Sequence, residues 1–121
     1  MATTENIKHR LSQYHLLEVE YMQIRRILER LRKTHERYSF PQSLELEALY
    51  EKNLTKIENE RQYIQTMLNT LEGDAHKVMM YRYINGLEWW KVAEAMNYSE
   101  RSVHRIHNDA LATLSNYGKE G

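Results

Sequence analysis

The chain has 121 residues, of which 41% are apolar and 28% charged, and no cysteine. The missing thiol excludes disulfides, cysteine-ligated zinc and thiol catalysis, and no apolar run approaches the ~18 residues that a membrane span requires. Seventeen basic residues balance seventeen acidic ones, which argues against tight, charge-driven binding to nucleic acid. No apolar signal-peptide core stands near the start, so a cytoplasmic protein without membrane contact is expected.

Residues 1–4 read as a frayed leader. From about Glu5 the apolar positions fall into heptads, with Ile7, Tyr14, Tyr21 and Leu28 in one series and Leu17, Ile24, Leu31 and Tyr38 in the other. Leu11 widens the stripe. Roughly four heptads without glycine or proline predict one long helix with a coiled-coil-like seam. The run Ser39-Phe40-Pro41-Gln42-Ser43 holds the only proline and interrupts the pattern. Apolar positions resume at Tyr50, Leu54, Ile57, Ile64, Leu68 and Leu71, broken only by Arg61. A second long helix folding back on the first gives an antiparallel hairpin, because a short connection favours antiparallel neighbours. That hairpin occupies residues 1–72 as a first domain. Its pattern is compatible with a self-contained unit and with pairing to a second chain.

The second predicted domain spans residues 73–121. Gly73 can end a helix and Asp74 can cap the next. A third helix is expected from about Ala75 to Ile84, carrying Val78, Met79, Tyr81 and Tyr83, and Asn85-Gly86 reads as a turn. A short helix follows with Trp89, Val92, Ala93 and Met96 at helical spacing. Three residues, Asn97-Tyr98-Ser99, separate it from a last helix whose inner face holds Val103, Ile106, Ala110, Leu111, Leu114 and Tyr117. Asn97 suits a left-handed helix end, and Tyr98 is expected to plug the space between the helices. Ser99 suits an N-cap, and Glu100 favours the positive end of the helix dipole. Two helices around so tight a turn predict an all-α chain ending in a helix-turn-helix, whose second helix can enter a DNA major groove.

These residues carry a resemblance. Gly86-Leu87, Val92-Ala93, Ser99 and the pattern Val103-x-x-Ile106-x-x-x-Ala110-Leu111-x-x-Leu114 resemble region 4 of bacterial sigma-70-type factors. Arg82-Tyr83, Gly86, Trp89, Ala93, Met96-x-Tyr98-Ser99-x-Arg101 and Arg105-Ile106-His107 are similar to small phage and prophage proteins related to late transcription regulators of the RinA and ArpU type. The resemblance covers about 45 residues and implies a transcription regulator that binds double-stranded DNA and touches RNA polymerase. It places Glu100, Arg101 and Arg105 at base edges and His104 at the backbone. Asn108 joins the base-reading set because asparagine can contact adenine as arginine contacts guanine. Lys91, Ser99 and Ser102 complete the expected backbone contacts. The bland alternative for this stripe is a solvated helix face.

Other residues admit two readings. Trp89 belongs with the core, whereas Trp90 points elsewhere, toward a phosphate, another protein or the N-terminal hairpin. Arg25, Arg26, Arg30, Arg32, Lys33 and Arg37 face only Glu29 and Glu36, a surplus of four positive charges. A solvated coiled-coil face explains this surplus better than a second contact with DNA backbone or with an acidic partner. His104 and His107 share one side of a helix, but two ligands do not make a metal site. With no phosphate loop and no nucleophile-base arrangement, no enzyme, cofactor or small-molecule substrate is expected. Zero net charge implies modest DNA affinity or help from a second subunit, which fits a homodimer. It also leaves room for a protein-interaction adapter that keeps the sigma-like fold and binds polymerase or another protein instead of DNA.

Overall fold

A computed structural model describes residues 3–37 and 41–117, and every regular element among these is helical. The helices are α1 (Thr4–Ser12), α2 (Tyr14–Arg37), α3 (Pro41–Asn69), α4 (Gly73–Met79), α5 (Trp89–Met96) and α6 (Glu100–Leu114), and a π-helical turn, Met80–Ile84, extends α4. Among the described residues no helix is long and apolar enough to cross a membrane.

The chain forms two compact units. One contains the residues up to His15 together with Tyr63 onward, and the other is Leu16–Gln62.

In the first unit, α1 packs on α6, and α6 also packs against α4 and α5. The expected single helix from Glu5 is interrupted at Gln13. There the Ser12 hydroxyl donates to the Lys8 carbonyl (2.7 Å) and the Gln13 amide bonds Arg10 rather than His9. Such back-bonding and a tightened last turn are local causes of helix breaks. Thr3 caps α1 by accepting from the Asn6 amide (3.1 Å). Ile7, Leu11 and Tyr14 are buried in this unit, as are Ile64, Met67, Leu68 and Leu71. Gln65 donates to the Tyr14 hydroxyl, Tyr63 meets the edge of Tyr117 (5.6 Å between ring centres), and Arg10 lies over Tyr63 (4.0 Å).

A cluster of Val78, Val92, Ala93 and Val103 forms the centre of the C-terminal helices, flanked by Tyr81, Leu87, Trp89, Met96 and Ile106. Each fully buried valine contributes roughly 1.5–3 kcal/mol relative to exposure. The turn between α4 and α5 is tight. The Asn85 amide reaches the Met80 carbonyl (2.9 Å), the Leu87 amide reaches Tyr81 (3.0 Å), and Gly86 takes φ +70°. A β-carbon at Gly86 would stand 2.5 Å from the tip of the exposed His15 ring, which can swing aside, so it is the positive φ that demands glycine.

Two expectations near this turn are corrected. Asp74 lies in the first turn of α4 rather than at its cap, which is Glu72 without a side-chain bond. Instead of filling the gap between helices, Tyr98 is 44% exposed, and its hydroxyl donates to the Asp74 carboxylate (2.6 Å).

The second unit is a two-helix hairpin. Arg32 bonds Glu47 (3.2 Å) and Glu51 (2.7 Å), His35 reaches Glu47 (3.3 Å), and Arg61 pairs with Glu58 (3.2 Å) and Glu18 (3.9 Å). These partners run antiparallel. Arg61, the apparent flaw in the apolar pattern, also lies over Tyr21 (5.1 Å), so its charge is held by carboxylates and a ring face. His35 and Arg32 keep the Glu47 carboxyl below its ordinary range. Among the described residues of this unit, only Leu28 and Ile57 are buried. Of the expected break at 39–43, Gln42 and Ser43 already belong to α3, while residues 39 and 40, like the seam position Tyr38, lie outside the described residues.

Candidate functional site

The site is built from α5, α6 and the three residues between them. Helix α5 begins when the Lys91 and Val92 amides take the Glu88 carbonyl (2.9 and 3.0 Å). It ends at Asn97, whose φ 59° and ψ 40° lie in the left-handed region. The Asn97 amide bonds the Glu94 carbonyl (3.2 Å) and the Tyr98 amide bonds Ala93 (3.0 Å). This pair of bonds is the Schellman ending, and it satisfies carbonyls that the helix end leaves open. Ser99 is extended and its hydroxyl accepts from the Ser102 amide (3.1 Å), which caps α6. The chain thus leaves one helix and enters the next with its polar backbone groups engaged at both ends.

The inner face of α6 is Val103, His107, Ala110, Leu111 and Leu114, all buried, with Ile106 packed beside them. That leaves Glu100, Arg101, His104, Arg105 and Asn108 exposed. Arg101, Arg105 and Asn108 recur at spacings of four and three and so share one stripe, with His104 at its edge. Among the described residues neither arginine forms an ion pair. Ser102 is half-buried and accepts from the Ser99 hydroxyl (3.0 Å), so both serines are occupied with the cap. The His104 ring lies 4.4 Å from the Trp89 ring. Lys91 is exposed on α5, 5.3 Å from the Trp90 ring.

Behind this stripe lies an arrangement that the sequence did not reveal. His107 is 3% exposed, and its Nε2 shares a 2.6 Å hydrogen bond with the Tyr83 hydroxyl. Either ring can donate in that bond. Burial pushes Tyr83 up to about 12, and burial, the largest cause, pulls His107 down to about 4. Lys8, His104 and Arg82 add to the lowering, and the Asn108 side chain opposes it. Trp89 is half-buried, meeting His107 edge-on (4.7 Å) with the Arg82 guanidinium over its face (4.7 Å). Arg82 also donates to the Leu87 carbonyl (3.0 Å). These contacts tie α6 to the π-helical turn through Tyr83 and to α5 through Trp89. One signal for His107 was available, since it follows Val103 by four and precedes Ala110 by three.

Trp90 is 51% exposed, with its indole N–H donating to Glu88. With Leu87, Lys91, Glu94 and Ala95 it lines an open groove of about 360 Å³. No group of three or more metal-ligating side chains occurs among the described residues.

Residues 3–116 match the family model described as "Protein of unknown function (DUF722)", and the chain belongs to that family. No curated protein matches the chain, and no solved structure does.

Proposed function

We propose that this DUF722 chain is a sequence-specific DNA-binding transcription regulator of phage or prophage type, acting in the cytoplasm of a bacterial host. In this reading α5 and α6 form a sigma region 4-like helix-turn-helix, and α6 lies in the major groove. The observation that carries it is the exposed stripe of Arg101, Arg105 and Asn108 on a helix whose other face is fully packed. Arginine offers a bidentate fork to guanine and asparagine one to adenine, and a rigid helix holds both in register. Glu100 stands beside them at the helix start, where a carboxylate can accept from cytosine. Lys91 and His104 would hold phosphates. Ser99 and Ser102 would serve mainly by presenting the amino end of α6 to the backbone, since their hydroxyls bond each other. Likeness of the motif to phage late regulators adds RNA polymerase as a partner. No catalytic step is assigned to the chain.

A second reading rests on Trp90. A half-exposed indole beside Leu87 and Ala95 in an open groove suits an adapter that docks on polymerase or another protein. Salt separates the two. Groove binding through about three phosphate contacts gives a slope of log affinity against log salt of roughly −2 to −3. Fluorescence anisotropy of a labelled duplex from 50 to 300 mM salt measures it. A slope near zero, or no binding at the lowest salt, would favour the adapter.

A further inference from the structure

We infer that the outer face of α2 is a second, sequence-independent contact with the phosphate backbone of duplex DNA. The structure divides the six bases of this helix into two sets. Arg32 is neutralised by Glu47 and Glu51, and Arg25 lies near the Tyr21 ring (5.9 Å), so the hairpin's own groups engage both. Arg26, Arg30, Lys33 and Arg37 follow one another at spacings of four, three and four, which puts them in one row along the helix. All four are exposed. None forms an ion pair or a side-chain hydrogen bond among the described residues, and the Glu29–Lys33 pair of an ordinary solvated face is not made.

The row runs along the side of α2 away from the seam. Leu17, Tyr21, Ile24, Leu28, Leu31 and His35, which are buried or half-buried, lie about half a helical turn round from it. Glu29 and Glu36 border the row on the flank of Arg25 and Arg32. Counted in full against the four bases, they still leave a surplus of two positive charges on this face. Toward the start of α2 the face turns apolar at Val19 and Met22, which line an open concavity of about 330 Å³ with Glu18, Gln23 and Arg26, so the basic row begins at Arg26. The α3 side of the unit has the opposite balance, with Glu45, Glu47, Glu51, Glu58 and Glu60 against Lys52, Lys56 and Arg61. Phosphates repel that side, and only the α2 face can approach them.

The composition of the row selects the partner. Three guanidinium forks and one ammonium spread over about 16 Å of helix match a line of phosphates rather than a single anion. No aromatic ring of Phe, Tyr or Trp stands between Arg26 and Arg37 for a base to stack on, which favours a duplex over a single strand. No apolar side chain lies among the four to enter a bilayer or a protein interface, and Ile27, the nearest, is half-buried at the border. The inference rests on the reading of this chain as a DNA-binding protein and adds to it phosphate contacts outside α6.

The test is fluorescence anisotropy of a labelled random-sequence duplex of about 30 base pairs with the full chain, from 25 to 200 mM salt. Combining Arg26→Gln, Arg30→Gln, Lys33→Gln and Arg37→Gln is expected to raise the dissociation constant at 50 mM salt at least ~100-fold. The same variant should flatten the slope of log affinity against log salt by about 2 to 4. Glutamine keeps the helix propensity at these exposed sites, and circular dichroism checks that the helices persist. Should that variant unfold, Arg30→Gln with Arg37→Gln takes its place, with an expected loss of ~10-fold or more. Its control is Lys52→Gln with Lys56→Gln, which removes the same charge from α3 and is expected to change binding little. Arg101→Ala with Arg105→Ala separates this contact from base reading. Binding to the random duplex that survives in that variant and still depends on the α2 row supports the inference, whatever becomes of base reading. Binding lost with the α6 variant but unchanged with the α2 variant overturns the inference and leaves the reading of α6 intact. Equal losses in the α2 and α3 variants overturn it too. So does a wild type that binds phosphatidylserine vesicles or an acidic polypeptide but no duplex at 25 mM salt.

Discussion

Acid should loosen the first unit through one residue. His107 is 3% exposed, and its value falls from 6.5 to about 4 mainly through burial. With the folded value below the unfolded one, the folded ring stays neutral while the unfolded ring takes up a proton. The stabilisation is therefore fully present above pH 6.5, declines as pH falls toward about 4, and changes no further below that. A displacement of this size corresponds to about 3 kcal/mol at roughly 1.4 kcal/mol per pH unit. Residual contacts of the ring in the unfolded chain reduce this difference, so we take about 2 kcal/mol as the measurable part. The assay is urea unfolding of wild type and His107→Leu at pH 7.5, 6, 5 and 4.5. The variant loses the bond to Tyr83, so its stability at pH 7.5 is lower by about 1–3 kcal/mol. Its further loss between pH 7.5 and 4.5 should be smaller than that of wild type by about 2 kcal/mol. Equal losses in the two proteins would refute a neutral, buried His107.

Other predictions concern the local geometry. Asn97→Ala should destabilise the protein by about 1–2 kcal/mol because alanine resists φ 59°, whereas Asn97→Gly should leave the melting temperature near that of wild type. Gly86→Ala should cost about 1–2 kcal/mol, chiefly through positive φ, and adding His15→Ala should recover little of it, as thermal melts of the three proteins can check. Tyr98→Phe and Asp74→Asn should each lower the melting temperature, and the double variant should fall little further than the worse single one, since both remove the same bond.

Much of the fold was legible because the helical period is strong where a face is fully packed. Val78, Val92, Val103 and Leu114 announced the C-terminal helices, and Asn97 and Ser99 announced the turn between them. The break at Gln13 was not legible. The heptads continue across it, and the hydroxyl of Ser12 that bonds back to Lys8 leaves no mark on the apolar pattern. Tyr98 misled because an aromatic in a turn between helices reads as a plug, whereas its hydroxyl finds Asp74, 24 residues earlier in the chain. The π-helical turn at Met80–Ile84 is a backbone event without a composition signal. As for the candidate site, the outer stripe of α6 follows directly from its inner face. The layer behind it does not, because Tyr83 and Trp89 meet α6, and Arg82 meets Trp89, only through tertiary packing.

Base reading by α6 is tested most directly by selecting bound sequences from a random duplex library at near-physiological salt. Wild type is run beside a variant carrying both Arg101→Ala and Arg105→Ala. The proposed groove contact predicts an enriched motif with wild type that vanishes with the variant, each arginine accounting for roughly 1–3 kcal/mol of discrimination. No enrichment with pure wild-type protein, or the same motif with both proteins, would contradict it.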